Sequence, residues 1–335
     1  MKMYFSRKIR RMQHIGVYKE IIDGALADQK MPESPQQLYA PIDYILSLGG
    51  KRLRPVLTLM ACDCFGGDPH QAIPAALAVE LFHNFSLIHD DIMDQAPLRR
   101  GQQTVHHKWD LNTGILSGDA LLILAYRHFE TYAPQVFSDL SKLFSQTAIE
   151  VCEGQQYDID FEQRQTVSMA EYLKMINFKT AVLVGAAMKM GAIVAQVNDQ
   201  QQELIYEFGR SLGVAFQLQD DYLDAFGDPK IFGKQIGGDI LSGKKTFLYL
   251  STLEQADADQ REALLSLFDD AQMDSEQKVD QVKVLYQATG ATKAIEQSIK
   301  KHTEHAFNQL EQTDLSHEAK AHLANFGRAL MSRKV

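Results

Sequence analysis

Apolar residues recur at intervals of three and four along nearly the whole chain, which is the spacing of one face of an α-helix. The β-branched alternation that indicates strands is scarce. The pattern predicts helices at about 11–28, 36–47, 54–66, 71–94, 115–131, 137–157 and 200–226, two helical pieces within 169–196, a polar loop at 158–168 and four or five more helices from 246 to 335. We therefore expect an all-α protein, a single large helical bundle in which residues 1–335 form one domain.

Three carboxylates stand at the end of the apolar run 80–94, at Asp90, Asp91 and Asp94. Asp90 and Asp94 are one helical turn apart and share a face, with Asp91 rotated off it. Like charges at this spacing lower helix stability, and a hard cation would remove that penalty. Mg²⁺ suits such a site, because it binds one or two protein carboxylates together with substrate phosphates. The alternative reading is a solvated acidic helix end.

The same spacing returns at the end of the apolar run 213–228, at Asp220, Asp221 and Asp224, 130 positions further on. Two such helices lying side by side would bring six carboxylates together at the mouth of one site between their ends. That much negative charge needs several divalent cations, which would then attract a polyanion. A diphosphate is the natural candidate.

Basic residues follow glycines at two other places. Lys51, Arg52 and Arg54 come after a glycine pair at a predicted helix start, which is typical of an anion site. Arg99 and Arg100 follow the first carboxylate motif, and guanidinium groups bind phosphate oxygens well. Both segments also fit a simpler role, in which they cap helices or balance charge.

The overall composition narrows the class of protein. The chain is 45% hydrophobic and 23% charged, which argues against disorder, and its net charge of −9 argues against nucleic-acid binding. Cys62, Cys64 and Cys152 lack zinc-site spacing and are expected to be buried thiols of a reducing cytoplasm. The longest apolar candidate, 111–126, contains Asp119, so we expect no transmembrane segment and a cytoplasmic location.

A set of motifs, taken together, resembles one family. In chain order they are GGKRLRP (49–55), LIHDDIMD (87–94), RRG (99–101), KT (179–180), FQLQDDYLD (216–224), FGK (232–234) and GKKT (243–246). The set resembles the trans-isoprenyl diphosphate synthases, or polyprenyl synthetases, of short-chain type such as geranylgeranyl or farnesyl diphosphate synthase. One DDxxD motif is shared with terpene cyclases, but a second DDxxD with GGKRxRP is much more specific.

The resemblance implies an all-α homodimer with helices around a deep apolar cavity. It implies a prenyltransferase that condenses isopentenyl diphosphate with an allylic diphosphate by Mg²⁺-assisted ionisation, condensation and proton loss. It also implies a group of Mg²⁺ ions, three per active site.

The resemblance also assigns site residues. The Mg²⁺ group comprises Asp90, Asp91, Asp94, Asp220, Asp221 and Asp224. The isopentenyl diphosphate pocket comprises Lys51, Arg54, His83 and Arg100, and the terminal Arg333-Lys334 resembles a basic tail that closes over it. The allylic diphosphate contacts comprise Arg99, Lys179, Thr180, Gln217, Lys234 and Lys244. The catalytic set comprises Asp90, Asp94, Asp220, Lys179 and Lys234.

Product length in this family depends on the floor of the cavity. Phe85 and Phe82 lie five and eight positions before Asp90 and project on one side of the helix. The resemblance makes Phe85 the size gate, with the small Ser86 beside it. The first motif has no two-residue insertion, which favours a C20 product over C15. Ordinary core packing is the alternative role for both phenylalanines.

Three alternatives to this function remain open. The chemistry could be the same with a longer product. The adjacent His89-Asp90 pair is also typical of metal-dependent phosphohydrolases, although that reading leaves the second DDxxD unexplained. Finally, the chain could be a non-catalytic partner subunit, although both aspartate motifs are intact.

Overall fold

A computed structural model describes residues 14–228, 236–270 and 272–332, and these are helical nearly throughout. The prediction of an all-α protein is confirmed. The contacts group the chain into two compact units, which we describe separately. The expectation of a single domain over 1–335 stays a prediction.

Unit 1 contains the described residues up to Phe144, with Ala187–Glu203 and Asp314–His322. Its elements are α1 (Ile15–Ala27), α2 (Gln36–Ser47), α3 (Leu53–Cys64), a 3₁₀ turn (Pro69–Ala72), α4 (Ile73–Met93), strands β1 (Leu98–Arg99) and β2 (Gln102–Gln103), α5 (Val105–Lys108), α6 (Leu111–Arg127), a second 3₁₀ turn (His128–Thr131) and the first part of α7 (Pro134–Gln163). The two strands pair antiparallel.

The core of unit 1 lies around α4, which packs along α6 and α3. Phe82 of α4 contacts Phe144 with ring centroids 5.2 Å apart, and Phe129 and Tyr126 complete this aromatic cluster at 5.2 and 4.7 Å from Phe144. Burial of these rings stabilises the helix that carries the first carboxylate motif.

Unit 2 contains Ser145–Ala186, the described part of Leu204–Thr313 and the described residues from Leu323 onward. It holds the rest of α7, α8 (Met169–Ile176), a π-helical turn (Asn177–Ala181), the start of α9 (Val182–Val194) and most of α10 (Asp199–Phe226). The elements that follow are α11 (Gly238–Leu241), α12 (Phe247–Gln255), α13 (Ala258–Asp269), α14 (Ser275–Ala288), α15 (Ala291–Glu311) and part of α16 (His317–Met331). Within its core, α12 packs against α8, α14 and α15.

The structure corrects two predictions about helix boundaries. The polar loop expected at 158–168 begins only after Gln163, because Tyr157 and Phe161, one turn apart, pack on the core of unit 2 and extend α7. Lys245 stabilises this helix end, since its Nζ donates to the Phe161 carbonyl at 2.9 Å. The two pieces expected within 169–196 are joined by the π-turn rather than separated by a break.

Two helical segments, Pro69–Met93 and Met169–Val194, are long and apolar enough to cross a membrane by length and composition alone. Neither is the candidate 111–126 that the sequence pattern selected. In each, most of the apolar window is buried inside the protein, 61% and 67% respectively, as in core helices of globular proteins. The expected lack of a transmembrane segment stays a prediction.

Several residues named above lie outside the described residues. They are Lys234, with the rest of the FGK motif at 232–234, and Arg333-Lys334 at the terminus. Among the cysteines, Cys62 and Cys64 are buried as expected, but Cys152 is exposed on α7, so the prediction of a buried thiol is wrong there.

Candidate active site

The glycine-rich segment before α3 folds around Arg100. Gly50 has φ +139°, and a Cβ added there would lie only 3.0 Å from Arg100 Nη2. Arg100 also donates from Nη1 to the Gly49 carbonyl. Both glycines have positive φ, which favours glycine, and at position 50 a side chain would also press on the Arg100 guanidinium.

Arg52 anchors the same loop to the protein interior. Its guanidinium is buried, forms an ion pair with the buried carboxylate of Glu80 and donates from Nη2 to the Leu46 carbonyl at 2.6 Å. Glu80 also accepts from Asn84 Nδ2 at 3.1 Å. These partners assign Arg52 a structural role, which agrees with its omission from the predicted pocket.

Arg54 and His83 lie together in unit 1, with Arg54 Nη1 3.3 Å from His83 Nε2. The pKa of His83 is held well below its ordinary value, first by burial and then by the positive charges around it. Those charges, in decreasing effect, belong to Arg54, Arg100, Arg99 and Arg52. A neutral imidazole thus sits in a strongly positive region. Arg54 Nε is buried there and makes no hydrogen bond among the described residues.

The predicted isopentenyl diphosphate residues are therefore largely brought together. Arg54, His83 and Arg100 share one positive region, and Lys51 is exposed at the start of the same loop. An unpaired buried guanidinium N–H is costly, and an anion such as a diphosphate would satisfy it.

The first carboxylate motif divides into two roles. Asp91 is buried and accepts from Arg99, through Nε at 2.8 and 2.7 Å and Nη2 at 2.7 Å. Asp90 is partly exposed and Asp94 is exposed. Asp91 thus holds Arg99, which the sequence assigned to the allylic diphosphate. Asp90 and Asp94 are the carboxylates of this motif that a cation can approach.

The candidate floor residues Phe85 and Phe82 are both buried, with ring centroids 5.5 Å apart. Phe82 belongs to the aromatic cluster with Phe144, whereas Phe85 packs edge-on against His89 at 4.7 Å. His89 Nε2 lies 3.2 Å from the Ile115 carbonyl oxygen. Phe82 therefore has the core-packing role, and Phe85 lies between that core and the carboxylate end of α4.

A cavity in unit 2 collects most of the second group of predicted residues. It is lined by Lys179, Thr180, Gln217, Asp221 and Lys244 among others. Thr180 donates to Gln217 Oε1 at 3.3 Å, and Gln217 Nε2 donates to Asp221 Oδ1 at 3.1 Å. The π-turn and α10 thus form one polar wall.

The second carboxylate motif, like the first, contains one buried carboxylate and others that are more accessible. Asp221 is buried and accepts from the hydroxyl of Tyr172 as well as from Gln217. Its pKa is raised to about 7, first by burial and then by the charge of Asp239. Asp220 is partly exposed, and Asp224 accepts from the Asp239 N–H at 3.0 Å. Asp220 therefore corresponds to Asp90 as the more accessible carboxylate.

Four residues of this cavity escaped the sequence analysis: Asp158, Tyr172, Asp239 and Lys245. Asp158 Oδ2 accepts from Lys179 Nζ at 2.5 Å. Tyr172 and Asp239 act on Asp221, and Lys245 caps α7. None of them belongs to a repeated pattern, and the sequence offers only the lysine pair Lys244-Lys245 as a signal for the last.

Within the described part of the chain, no cluster of side chains could hold a metal ion without other ligands. No group of three or more His, Cys, Asp or Glu side chains lies close enough there to hold an ion. Mg²⁺ needs only one or two carboxylates when substrate phosphates and water complete its shell. Within unit 1, Asp90 and Asp94 are accessible carboxylates of the kind that such an ion needs, and within unit 2 Asp220 is another.

Comparison with known proteins gives concordant results. The polyprenyl synthetase family model matches residues 35–288. A short chain isoprenyl diphosphate synthase of Methanothermobacter thermautotrophicus is 36% identical over 315 residues, covering 92% of this chain and 95% of its own length. A geranylfarnesyl diphosphate synthase of Natronomonas pharaonis is 38% identical over 255 residues, covering 71% and 75%. A crystal structure of a geranylgeranyl pyrophosphate synthase superposes with a TM-score of 0.93 at 50% identity, covering 97% and 100%.

The Arg52–Glu80 pair yields a prediction about stability. Glu80→Ala removes the buried partner of the Arg52 charge and leaves only the longer contact with the more exposed Asp23, at 3.6 Å, which lowers the free energy of unfolding by about 3 kcal/mol. Urea denaturation followed by circular dichroism measures this change. Glu304→Ala is the control, because the Lys300–Glu304 pair is exposed, and its effect should stay within about 0.5 kcal/mol. An equal decrease in the free energy of unfolding in both variants would refute the role of the Arg52–Glu80 pair in anchoring the loop.

The raised pKa of Asp221 predicts a pH dependence in metal-free protein. The folded carboxyl titrates near pH 7 and the unfolded one near about 3.9, so its protonated form stabilises the fold below about pH 4 and this contribution is lost as the pH rises to about 7. The free energy of unfolding of the wild type relative to Asp221→Asn should fall over that window, by an amount on the order of a few kcal/mol, and then level off. Denaturation with a chelator present tests this, and a constant difference across the window would contradict it.

Proposed function

The chain belongs to the polyprenyl synthetase family, and on that premise we propose that it condenses isopentenyl diphosphate with an allylic diphosphate. The product is a short-chain all-trans prenyl diphosphate. The observation that carries the proposal is the polar cavity of unit 2, where Lys179, Thr180 and Gln217 line up beside a buried motif carboxylate. These are the residues that the resemblance assigns to the allylic diphosphate.

The allylic diphosphate is the group that leaves. Bound Mg²⁺, with three ions per site in this proposal, supplies Lewis-acid stabilisation of the leaving diphosphate. Asp90, Asp94 and Asp220 are the direct ligands in this assignment. Lys179 and Lys244 bind the phosphate oxygens and share the negative charge that develops as the allylic C–O bond breaks. The bonding electrons leave with the diphosphate, so the reaction needs no protein nucleophile.

Isopentenyl diphosphate binds the positive region of unit 1 in this proposal. Arg54, Arg100 and Lys51 bind its diphosphate oxygens, and the buried Arg54 Nε–H, which has no partner among residues 14–228, 236–270 and 272–332, supports this assignment. His83 contributes as a neutral imidazole, since burial, and then the arginines around it, depress its pKa. The π-bond of isopentenyl diphosphate then forms the new C–C bond, and the released diphosphate takes the proton that is lost.

We assign a C20 product. The relative with the solved structure is a geranylgeranyl synthase, and another is a geranylfarnesyl synthase, so relatives of this chain make C20 and longer products. The bulky Phe85 ring, which is held between Phe82 and His89, supports the C20 product rather than a longer one. The alternative is the same chemistry with a longer product.

A homodimer is part of the proposal. α6 exposes four large apolar side chains, Leu111, Ile115, Leu116 and Ile123, which are 53%, 40%, 59% and 60% exposed. Such a face on a globular protein is typical of a protein–protein contact, and a second copy of this chain is the partner that the family membership favours. The cytoplasmic location stays a prediction.

A product assay tests the function. Purified protein is incubated with Mg²⁺, isopentenyl diphosphate and each of the C5, C10 and C15 allylic diphosphates, and the products are sized by mass spectrometry. We expect a dominant C20 product, and we expect Asp90→Ala and Asp220→Ala to lower turnover by about 10²-fold or more, because each removes a metal ligand.

Asp139→Ala, in a partly exposed carboxylate of α7, is the matched control and should keep normal turnover. Near-normal turnover in either motif variant, with the fold verified by circular dichroism, would rule out the metal assignment. A folded wild type that transfers no prenyl group alone, but does so on mixing with a homologous chain, would identify a partner subunit instead.

The floor assignment predicts a change in product length. Phe85→Ala removes the ring that separates the Phe82 cluster from the carboxylate end of α4, so the main product should lengthen from C20 to C25 or more. Chromatography of dephosphorylated products measures the distribution. Phe137→Ala, in a partly exposed phenylalanine of α7, should leave it unchanged. The same distribution in Phe85→Ala and wild type would show that the floor lies elsewhere.

A further inference from the structure

The π-helical turn Asn177–Ala181 carries Lys179 and Thr180 in unit 2. Its last hydrogen bond runs from the Val182 N–H to the Asn177 carbonyl, five residues back. π-Turns are rare and usually interrupt α-helices at functional sites. The turn's own sequence, Asn-Phe-Lys-Thr-Ala, contains no proline or glycine that would impose this geometry. The neighbouring helices must therefore stabilise it.

α7 contacts the turn backbone to backbone at Gly154. A Cβ added to Gly154 would lie 2.2 Å from the Lys179 nitrogen and 2.7 Å from Lys179 Cα. One turn further along the same face, Asp158 accepts from Lys179 Nζ at 2.5 Å. α7 thus fixes Lys179 twice, by contact with its backbone and by an ion pair with its side chain.

α10 contacts the other side of the turn in the same manner. A Cβ added to Gly213 would lie 2.8 Å from Ala181 Cα. One turn further, Gln217 Oε1 accepts from Thr180 Oγ1 at 3.3 Å. On the preceding turn, Arg210 Nη1 donates to Asn177 Oδ1 at 3.1 Å. α10 therefore fixes Thr180 and both ends of the turn.

We propose that Gly154 and Gly213 are positioning residues for the allylic diphosphate site. With Asp158 and Gln217 they form a π-turn clamp, in which each helix presents a glycine that admits the turn and a polar residue that orients one of its functional side chains. This inference rests on the proposed function, in which Lys179 and Thr180 contact the allylic diphosphate.

Gly154→Ala and Gly213→Ala test the clamp. Alanine forms helices better than glycine, so either change would stabilise a helix that made no close contact. Here the added methyl group must displace the turn backbone. Since small misplacements of binding groups are costly, the KM for the allylic diphosphate should rise about tenfold or more, while the KM for isopentenyl diphosphate stays within about twofold.

Gly185→Ala is the matched control, because its Cβ would lie 2.9 Å from the Tyr206 carbonyl oxygen, on α9 outside the turn. It should lower the midpoint of thermal unfolding about as much as Gly213→Ala and change neither KM. If Gly154→Ala does not fold, Gly213→Ala still tests the clamp, because its contact is looser. The positioning role would be overturned if the clamp variants raised the KM values for both substrates to a similar extent and Gly185→Ala did the same.

Hydrogen exchange provides a readout that does not depend on catalysis. Amides of 177–181 should exchange faster in both clamp variants than in wild type, and at the wild-type rate in Gly185→Ala. Unchanged exchange and unchanged KM in folded clamp variants would refute the clamp. A wild type without any transfer activity would instead refute the proposed function and leave the exchange result to decide the clamp.

Discussion

A carboxylate buried among packed helices is stable only if donors surround it, and this requirement shapes both aspartate motifs. Asp91 meets it with the guanidinium of Arg99, and Asp221 meets it with Tyr172 and the Gln217 amide. The buried second carboxylate of each motif therefore fixes neighbouring polar groups. The accessible first carboxylate stays at the surface of its helix end. A repeated sequence motif thus contains one carboxylate that organises the interior and one that is more accessible, to which the proposed function assigns the cation.

The same requirement gives the two arginines of the glycine-rich loop, Arg52 and Arg54, different roles. Arg52 is buried opposite Glu80 and is neutralised there, so it secures the loop to α4. Arg54, two residues later, lies beside an imidazole that its charge helps to keep neutral, and its buried Nε–H makes no hydrogen bond within the described part of the chain. The concentration of positive charge that this leaves would be unfavourable without an anionic ligand. The loop is therefore better explained by anion binding than by helix capping alone.

Periodicity predicted the elements that carry the motifs, because apolar residues at three and four specify α4 and α10 to within one or two residues. Periodicity did not predict the features that depend on contacts between residues far apart in the chain. Asp158 pairs with Lys179 across 21 positions, and Tyr172 bonds Asp221 across 49, so neither leaves a local signal. The extension of α7 and the π-turn likewise depend on tertiary contacts. Their only trace in the sequence is a glycine inside a helix, as at Gly154, where helix propensity alone favours another residue.

The two aromatic residues of α4 differ in how closely they are bound to the core. The Phe82 ring is packed on Phe144, so its loss would open a cavity in the core at a cost of about 3–5 kcal/mol. Phe85 contacts the edge of that cluster at Phe82, with ring centroids 5.5 Å apart, and also contacts His89, which fits against α6 only because Gly118 has no side chain. A change at Phe85 therefore removes one contact of Phe82 but leaves the contact between Phe82 and Phe144 in place. Substitution at Phe85 should therefore disturb the core less than substitution at Phe82, so the proposed role of Phe85 in setting product length is compatible with a stable helix around Asp90.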